Sequence, residues 1–170
     1  MARTVTTVAA LVVFCIAAAV AVAAADPWQA AKSKLSYPLY QPSQTLGYKV
    51  SSFGYQGCGG AKSKDSLYAT YGSYKGVLGS KTKGFGIFEG SPAICSNPAG
   101  WTPQGTRVIG GVKASLGVYC DLPKHCSLAQ GVTNGYILLW KRDKTRIQMD
   151  AAHLTLAQLL KVASSLKPVE

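Results

Sequence analysis

Acidic side chains are scarce in this chain, with 7 Asp and Glu against 18 Lys and Arg. So few carboxylates disfavour calcium sites, which gather several oxygen ligands in one loop. They also leave little for glycosidase chemistry, which needs two acids facing one cleft. Glu89 and Asp121 are the pair that flanks expected strand ends, and solvated strand-terminal acids are the competing reading. Histidine is scarcer still, represented by His125 and His153. Neither Gly-x-Ser-x-Gly nor His-Glu-x-x-His occurs, so the serine-hydrolase and zincin signatures are missing. Cysteine catalysis would need Cys126, beside His125, to be unpaired. The cysteine spacing lacks the Cys-x-x-Cys knuckle of zinc sites. No internal repeat or low-complexity stretch divides the chain. Catalytic residues, cofactors and metals are accordingly not expected.

What is present begins with a targeting pattern. Arg3 precedes an uncharged Ala/Val-rich run from Val5 to Ala25, which ends in Ala23-Ala24-Ala25 before Asp26-Pro27. This is the pattern of an export signal cleaved after Ala25. An uncleaved anchor through residues 5–25 is the rival reading, because the run is long enough to span a bilayer. Bulky Phe14 before Cys15 argues against lipidation. The expected location is secreted or extracytoplasmic. The remaining 145 residues suffice for one domain that buries about two-thirds of its unfolded surface. We assign residues 26–36, with Trp28, to a spacer or short helical turn, and residues 37–170 to a single domain. Four cysteines lie beyond the signal: Cys58, Cys95, Cys120 and Cys126. An even number in an exported chain points to two disulfides. The short Asp121–His125 loop favours Cys120 with Cys126, and hence Cys58 with Cys95.

Hydrophobic periodicity then predicts the elements. Tyr136–Trp140 is a continuous apolar run, as in a strand covered on both faces, and Thr145–Met149 alternates as a half-exposed strand does. Lys141–Lys144 reads as the hairpin connection between them. Thr155 is a good helix N-cap, Gln158 is its capping-box partner, and Leu154 with Leu159 forms a hydrophobic staple. The apolar stripe Leu156, Leu159, Leu160, Ala163 and Leu166 predicts a helix lying on a sheet and stopped by Pro168 just after Lys167. Upstream, Tyr37–Pro42 is a proline-stiffened lead-in along an edge. Strands are expected at Tyr48–Tyr55, Ser66–Tyr71 and Gly84–Gly90. Val112, Ala114, Leu116 and Val118 define the buried face of another, whose alternate side is wet. Gly110-Gly111 is either a bulge or a two-residue turn. The fold class is therefore α+β, an antiparallel sheet packed against a C-terminal amphipathic helix.

Candidate binding features are few. Gln56–Lys64 is glycine-rich, but the β-prone Ser66–Tyr71 follows where a phosphate loop needs a helix. Tyr68 and Tyr71, with Tyr74, are either an aromatic surface or packing residues with a wet hydroxyl. Ser91–Thr106, carrying three prolines, Cys95 and Trp101, reads as a long loop of the kind that bears function. Beyond residue 25 the net charge is about +10, suited to anionic headgroups, acidic glycans or nucleic acid through non-specific attraction. The dense cluster is Lys141, Arg142, Lys144 and Arg146 at the hairpin tip, a polyanion contact or else a solvated turn. Partners expected from these features are an anionic envelope polymer, a membrane surface or a protein. Specific nucleic-acid binding is not expected.

The order of "YPLYQP", "LGYKV", "GFGIFEG", "VIGGVKASLGVYC" and "GYILLWKRDKTRIQMDAAHLTLAQLLKVASSLK" resembles small bacterial extracytoplasmic domains of unknown function, found as exported proteins or at the outer end of membrane-bound anti-sigma factors. The resemblance runs from about Tyr37 to Leu166 and is most specific at the C-terminal end. It implies a sheet on a C-terminal helix and a binding or sensing role. It transfers no functional residue. With four residues before the apolar run and four added cysteines, this chain departs from the sigma-factor-binding arrangement. The alternatives are a small secreted hydrolase with an unrecognised site, and a disulfide-stapled structural or inhibitory module with a rigid loop between Cys95 and Cys126.

Overall fold

The computed structural model describes residues 26–57, 65–76, 81–92, 100–120 and 126–170. Its frame is a seven-stranded antiparallel sheet. The strands are β2 (Val50–Gln56), β3 (Ser66–Gly72), β4 (Gly84–Gly90), β5 (Trp101–Ile109), β6 (Val112–Tyr119), β7 (Tyr136–Arg142) and β8 (Thr145–Ala152), in spatial order β2-β3-β4-β8-β7-β6-β5. Two meanders, β2-β3-β4 and β5-β6-β7-β8, are joined where β4 pairs with β8, from Gly84 opposite Ala152 to Gly90 opposite Arg146. Helix α3 (Leu156–Ser164), the third after the shorter α1 (Pro27–Lys32) and α2 (Gly131–Asn134), covers one face, here called the inner face. Its Leu159, Val162 and Ala163 share a core with Leu116 and Val118 of β6, Leu138 of β7, Met149 of β8, Phe85 of β4 and Tyr71 of β3.

The helix start follows from its sequence. The Thr155 hydroxyl accepts from the Gln158 amide at 3.2 Å, and the Gln158 side chain accepts from the Thr155 amide at 2.9 Å. Leu154 and Leu159 are both buried in the core. The helix end differs from the expectation. The chain leaves the helix at Ser165, whose hydroxyl donates to the Val162 carbonyl at 2.7 Å and whose carbonyl accepts from Ser43. Leu166–Pro168 then forms strand β9, paired with β1 (Tyr40–Pro42), so Pro168 closes a strand rather than a helix. Leu166 is buried through that small sheet. Val162 takes its place on the helix stripe, and Leu156 and Leu160 are only half-buried.

Two further expectations change. The stretch read as a loop to Thr106 becomes strand from Trp101 onward, and Arg107–Ile109 is its end. Its Pro103 is tolerated because β5 is an edge strand whose register shifts between Pro103 and Thr106. Much of the segment between Cys95 and Cys126 is thus two sheet strands instead of a protruding loop. Gly110 and Gly111 both have positive φ, 55° and 82°, and form the two-residue turn between β5 and β6. Residues 26–36 contain helix α1 (Pro27–Lys32), capped by the Asp26 carboxylate. Its Trp28 is buried in the main core, edge-on to Phe53 at 5.3 Å. Of the two readings for this stretch, the short helical turn is the one formed, and it packs on the fold. The Cys120–Cys126 disulfide is present, while Cys58 and Cys95 lie outside the described residues, as do Asp121, His125 and residues 1–25. Among the described residues no helix is long and apolar enough to cross a membrane.

Candidate functional site

Strand alternation divides each sheet strand between the helix-covered inner face and an outer face. On β7, Tyr136, Leu138 and Trp140 join the main core, whereas Ile137 and Leu139 form a second cluster with Tyr119 of β6 and Trp101 of β5. This second cluster corrects the expectation of a wet alternate side on β6. Lys113 and Ser115 are exposed there, but Gly117 and Tyr119 are buried.

The register assembles the outer face. Ser115 lies opposite Leu139, Leu139 opposite Gln148, Gln148 opposite Phe88 and Phe88 opposite Tyr68. One step toward the hairpin tip, Lys141 lies opposite Arg146. Trp101 starts two rows away, opposite Tyr119, and its indole reaches over Gly117 to pack with Ile137 and Leu139. A Cβ on Gly117 would sit 2.0 Å from the indole Cε3, so the glycine provides the space that the ring occupies. The result is a cleft of about 240 Å³ lined by Pro92, Trp101, Ser115, Leu139, Trp140, Lys141 and Arg146. Burial pulls the half-buried Arg146 guanidinium below its ordinary value.

Next to this cleft on the same face lies a buried polar cluster. Asp150 accepts from the Tyr119 hydroxyl at 3.2 Å and from the Gln148 amide at 2.8 Å. Tyr74, lying over Gly86, adds a third hydrogen bond. Desolvation pushes the Asp150 carboxyl up from 3.8 to about 7, although these three bonds pull in the other direction. Burial likewise pushes the Tyr74 and Tyr119 phenols up, and the Asp150 charge adds to the effect. Sequence reading missed this cluster. Asp150 looks like any strand-end acid until the β6, β7 and β8 registers bring Tyr119 to it, and Tyr74 arrives from a separate connection. The one local signal is Gly86, directly opposite Asp150.

The basic tip expected to act as one patch is split by the hairpin. Arg142 points to the inner side, where its guanidinium lies 4.6 Å from the centre of the Tyr40 ring and donates to the Leu166 carbonyl at 3.2 Å. It is a structural clasp. Asp143, at φ 50°, takes the Tyr40 hydroxyl, and Thr145 donates to the Pro38 carbonyl. Lys144 lines a different cleft of about 580 Å³ with Lys32, Tyr37 and Asp143. That cleft is larger, but the Asp143 carboxylate in its wall opposes an anion, so it is the poorer anion site. Lys141 and Arg146 remain on the outer face with Trp101.

Tyr68 and Tyr71 do not share a face either. Tyr71 is buried and stacked on Phe85 at 4.5 Å, a packing role, while half-buried Tyr68 lies on the outer face beside Phe88. Glu89 is fully buried on the inner face and accepts the Tyr40 amide at 3.0 and 3.2 Å. Burial pushes its carboxyl well above the usual range. Its carboxylate holds β1 in place, which leaves the proposed Glu89–Asp121 pair without its first member at a cleft. Comparison with protein-family models, with curated proteins and with solved structures gave no match. Among the described residues, no group of three His, Cys, Asp or Glu side chains is placed to hold a metal ion.

Proposed function

We propose that the chain is an exported, non-catalytic binding domain whose ligand is an anionic polymer of the cell envelope. The observation that carries this reading is the placement of Lys141 directly opposite Arg146, on the same face as Trp101. Two cations side by side near the end of one hairpin concentrate positive charge on that face. A polyanion crossing that face would meet both positive charges. The signal pattern of residues 5–25 and the Cys120–Cys126 disulfide, a bond of oxidising compartments, support export. The resemblance of the C-terminal hairpin and helix to bacterial extracytoplasmic domains supports binding or sensing over catalysis.

The test is calorimetric titration with polygalacturonate, a soluble polyanion, in low-salt buffer. Replacing Lys141 and Arg146 together by serine is expected to weaken binding about tenfold, the worth of two moderately exposed charges at low ionic strength. The same double change at Lys32 and Lys144 is expected to have a smaller effect. Equal affinity of the Lys141/Arg146 variant and the parent would overturn the reading.

A further inference from the structure

The sheet has two edge strands, β2 and β5, and only one of them is guarded. An edge presents backbone N–H and C=O groups to any further strand, and natural edges are blunted by charge, proline or bulges. Strand β5 carries all of these: Pro103, the register shift between Pro103 and Thr106, and Arg107. Strand β2 has a register shift between Val50 and Ser52, beyond which Ser52–Gln56 pairs regularly with β3. The run Ser52-Phe53-Gly54-Tyr55-Gln56 holds no proline and no charge, in a chain with 18 Lys and Arg. Ser52 and Gln56 are exposed, and among the described residues no strand pairs with the other side of β2.

We propose that this edge pairs with the β2 edge of a second copy of the chain, antiparallel about a two-fold axis at Gly54. Charge and register both select that occupant. Two copies of so basic a chain repel wherever their cations meet, and a neutral strand is where their backbones can approach. The axis at Gly54 uses the whole regular run: it sets Gly54 opposite the partner's Gly54, Phe53 opposite the partner's Tyr55, and Ser52 opposite the partner's Gln56. Residues 52, 54 and 56 then meet one another and 53 meets 55, so whichever alternate set points its backbone groups outward finds partners. Facing residues share a face of the sheet, and Phe53 and Tyr55 lie on the one packed against the main core, which gives two aromatic cross-strand pairs. Lys34, 5.8 Å from the centre of the Tyr55 ring, and Lys49, next to Val50, flank the run. Their repulsion across the axis and the short length of pairing make the dimer weak and concentration-dependent. The pairing stands apart from the anion-binding reading, since it uses neither Lys141 nor Arg146.

Sedimentation equilibrium from micromolar to millimolar protein, at low and high salt, tests the pairing. The parent should show a monomer–dimer equilibrium that salt tightens, because screening relieves the repulsion between two cationic copies. Ser52→Lys with Gln56→Lys sets like charges opposite each other at both ends of the run and should weaken dimerisation about tenfold. Ser52→Glu with Gln56→Lys sets opposite charges there, leaves the net charge unchanged, and should tighten dimerisation by a similar factor. Both side chains are exposed, so the variants should keep the parent's thermal unfolding. A monomer at every concentration overturns the proposal. So does a dimer that both charge variants leave unchanged, which would use another surface, and so does one that salt dissolves, which would be bridged by a bound anion.

Discussion

Asp150 is the residue whose surroundings have the sharpest consequence. Its carboxyl is raised in the folded state to about 7 from 3.8, mainly by desolvation. The folded protein therefore holds this proton more tightly than the unfolded chain. Stability from this group is fully present below about pH 4 and is lost as pH rises through about 7. The full move corresponds to on the order of 4 kcal/mol. Urea unfolding between pH 4 and pH 8 should show the decline, with the buried Glu89 contributing a slope of the same sign. Asp150→Asn should flatten it, since the amide cannot ionise while its oxygen still accepts from Tyr119. A profile identical to that of the parent would show that Asp150 is not the group responsible.

Among the elements, helix α3 depends on its first turn. It spans only nine residues, so little of its stability comes from helix propensity. The Thr155 cap and the Gln158 side chain satisfy amide groups that would otherwise lack partners. Thr155→Ala is expected to cost about 1 kcal/mol in thermal unfolding. The opposite end of the helix has a different logic. Ser165 links the helix to Ser43 and Gln44, and the chain then pairs with β1, so the C-terminus is held by sheet hydrogen bonds. The hairpin of β7 and β8 acts as a divider, because the side-chain alternation that puts Arg142 on Tyr40 places Lys141 and Arg146 on the other side of the sheet.

At the scale of the molecule, the Cys120–Cys126 disulfide closes a loop with a sequence separation of 6, just beyond β6. A loop this small restrains few conformations of the unfolded chain. Replacing both cysteines by serine should therefore cost only about 2 kcal/mol in urea unfolding. A loss several times larger would mean that the bridge holds the β6 end itself in place.

Much of the frame was legible in the chain alone. The strand at Val112–Tyr119, the hairpin and the capped start of α3 were readable because local rules govern them: a period of two, a tight turn and a capping box. The end of the helix was not, since Ser164, Ser165 and Leu166 suit a helix end as well as a strand start, and the partner that decides is Tyr40–Pro42, more than 120 residues earlier. The strand beginning at Trp101 was hidden by prolines that an edge position tolerates. The candidate site was legible as a list of residue types: Trp101, Tyr68 and the four basic residues of the tip. Which of them meet depends on register, and register is set by pairings between distant strands. Local pattern and composition were thus enough for the α+β class, the antiparallel hairpin and the cationic character. That Arg142 clasps Tyr40, that Tyr71 is core, and that Trp101, Lys141 and Arg146 line one cleft follows from strand pairing over long distances, because a side chain's face is fixed by the strand across from it.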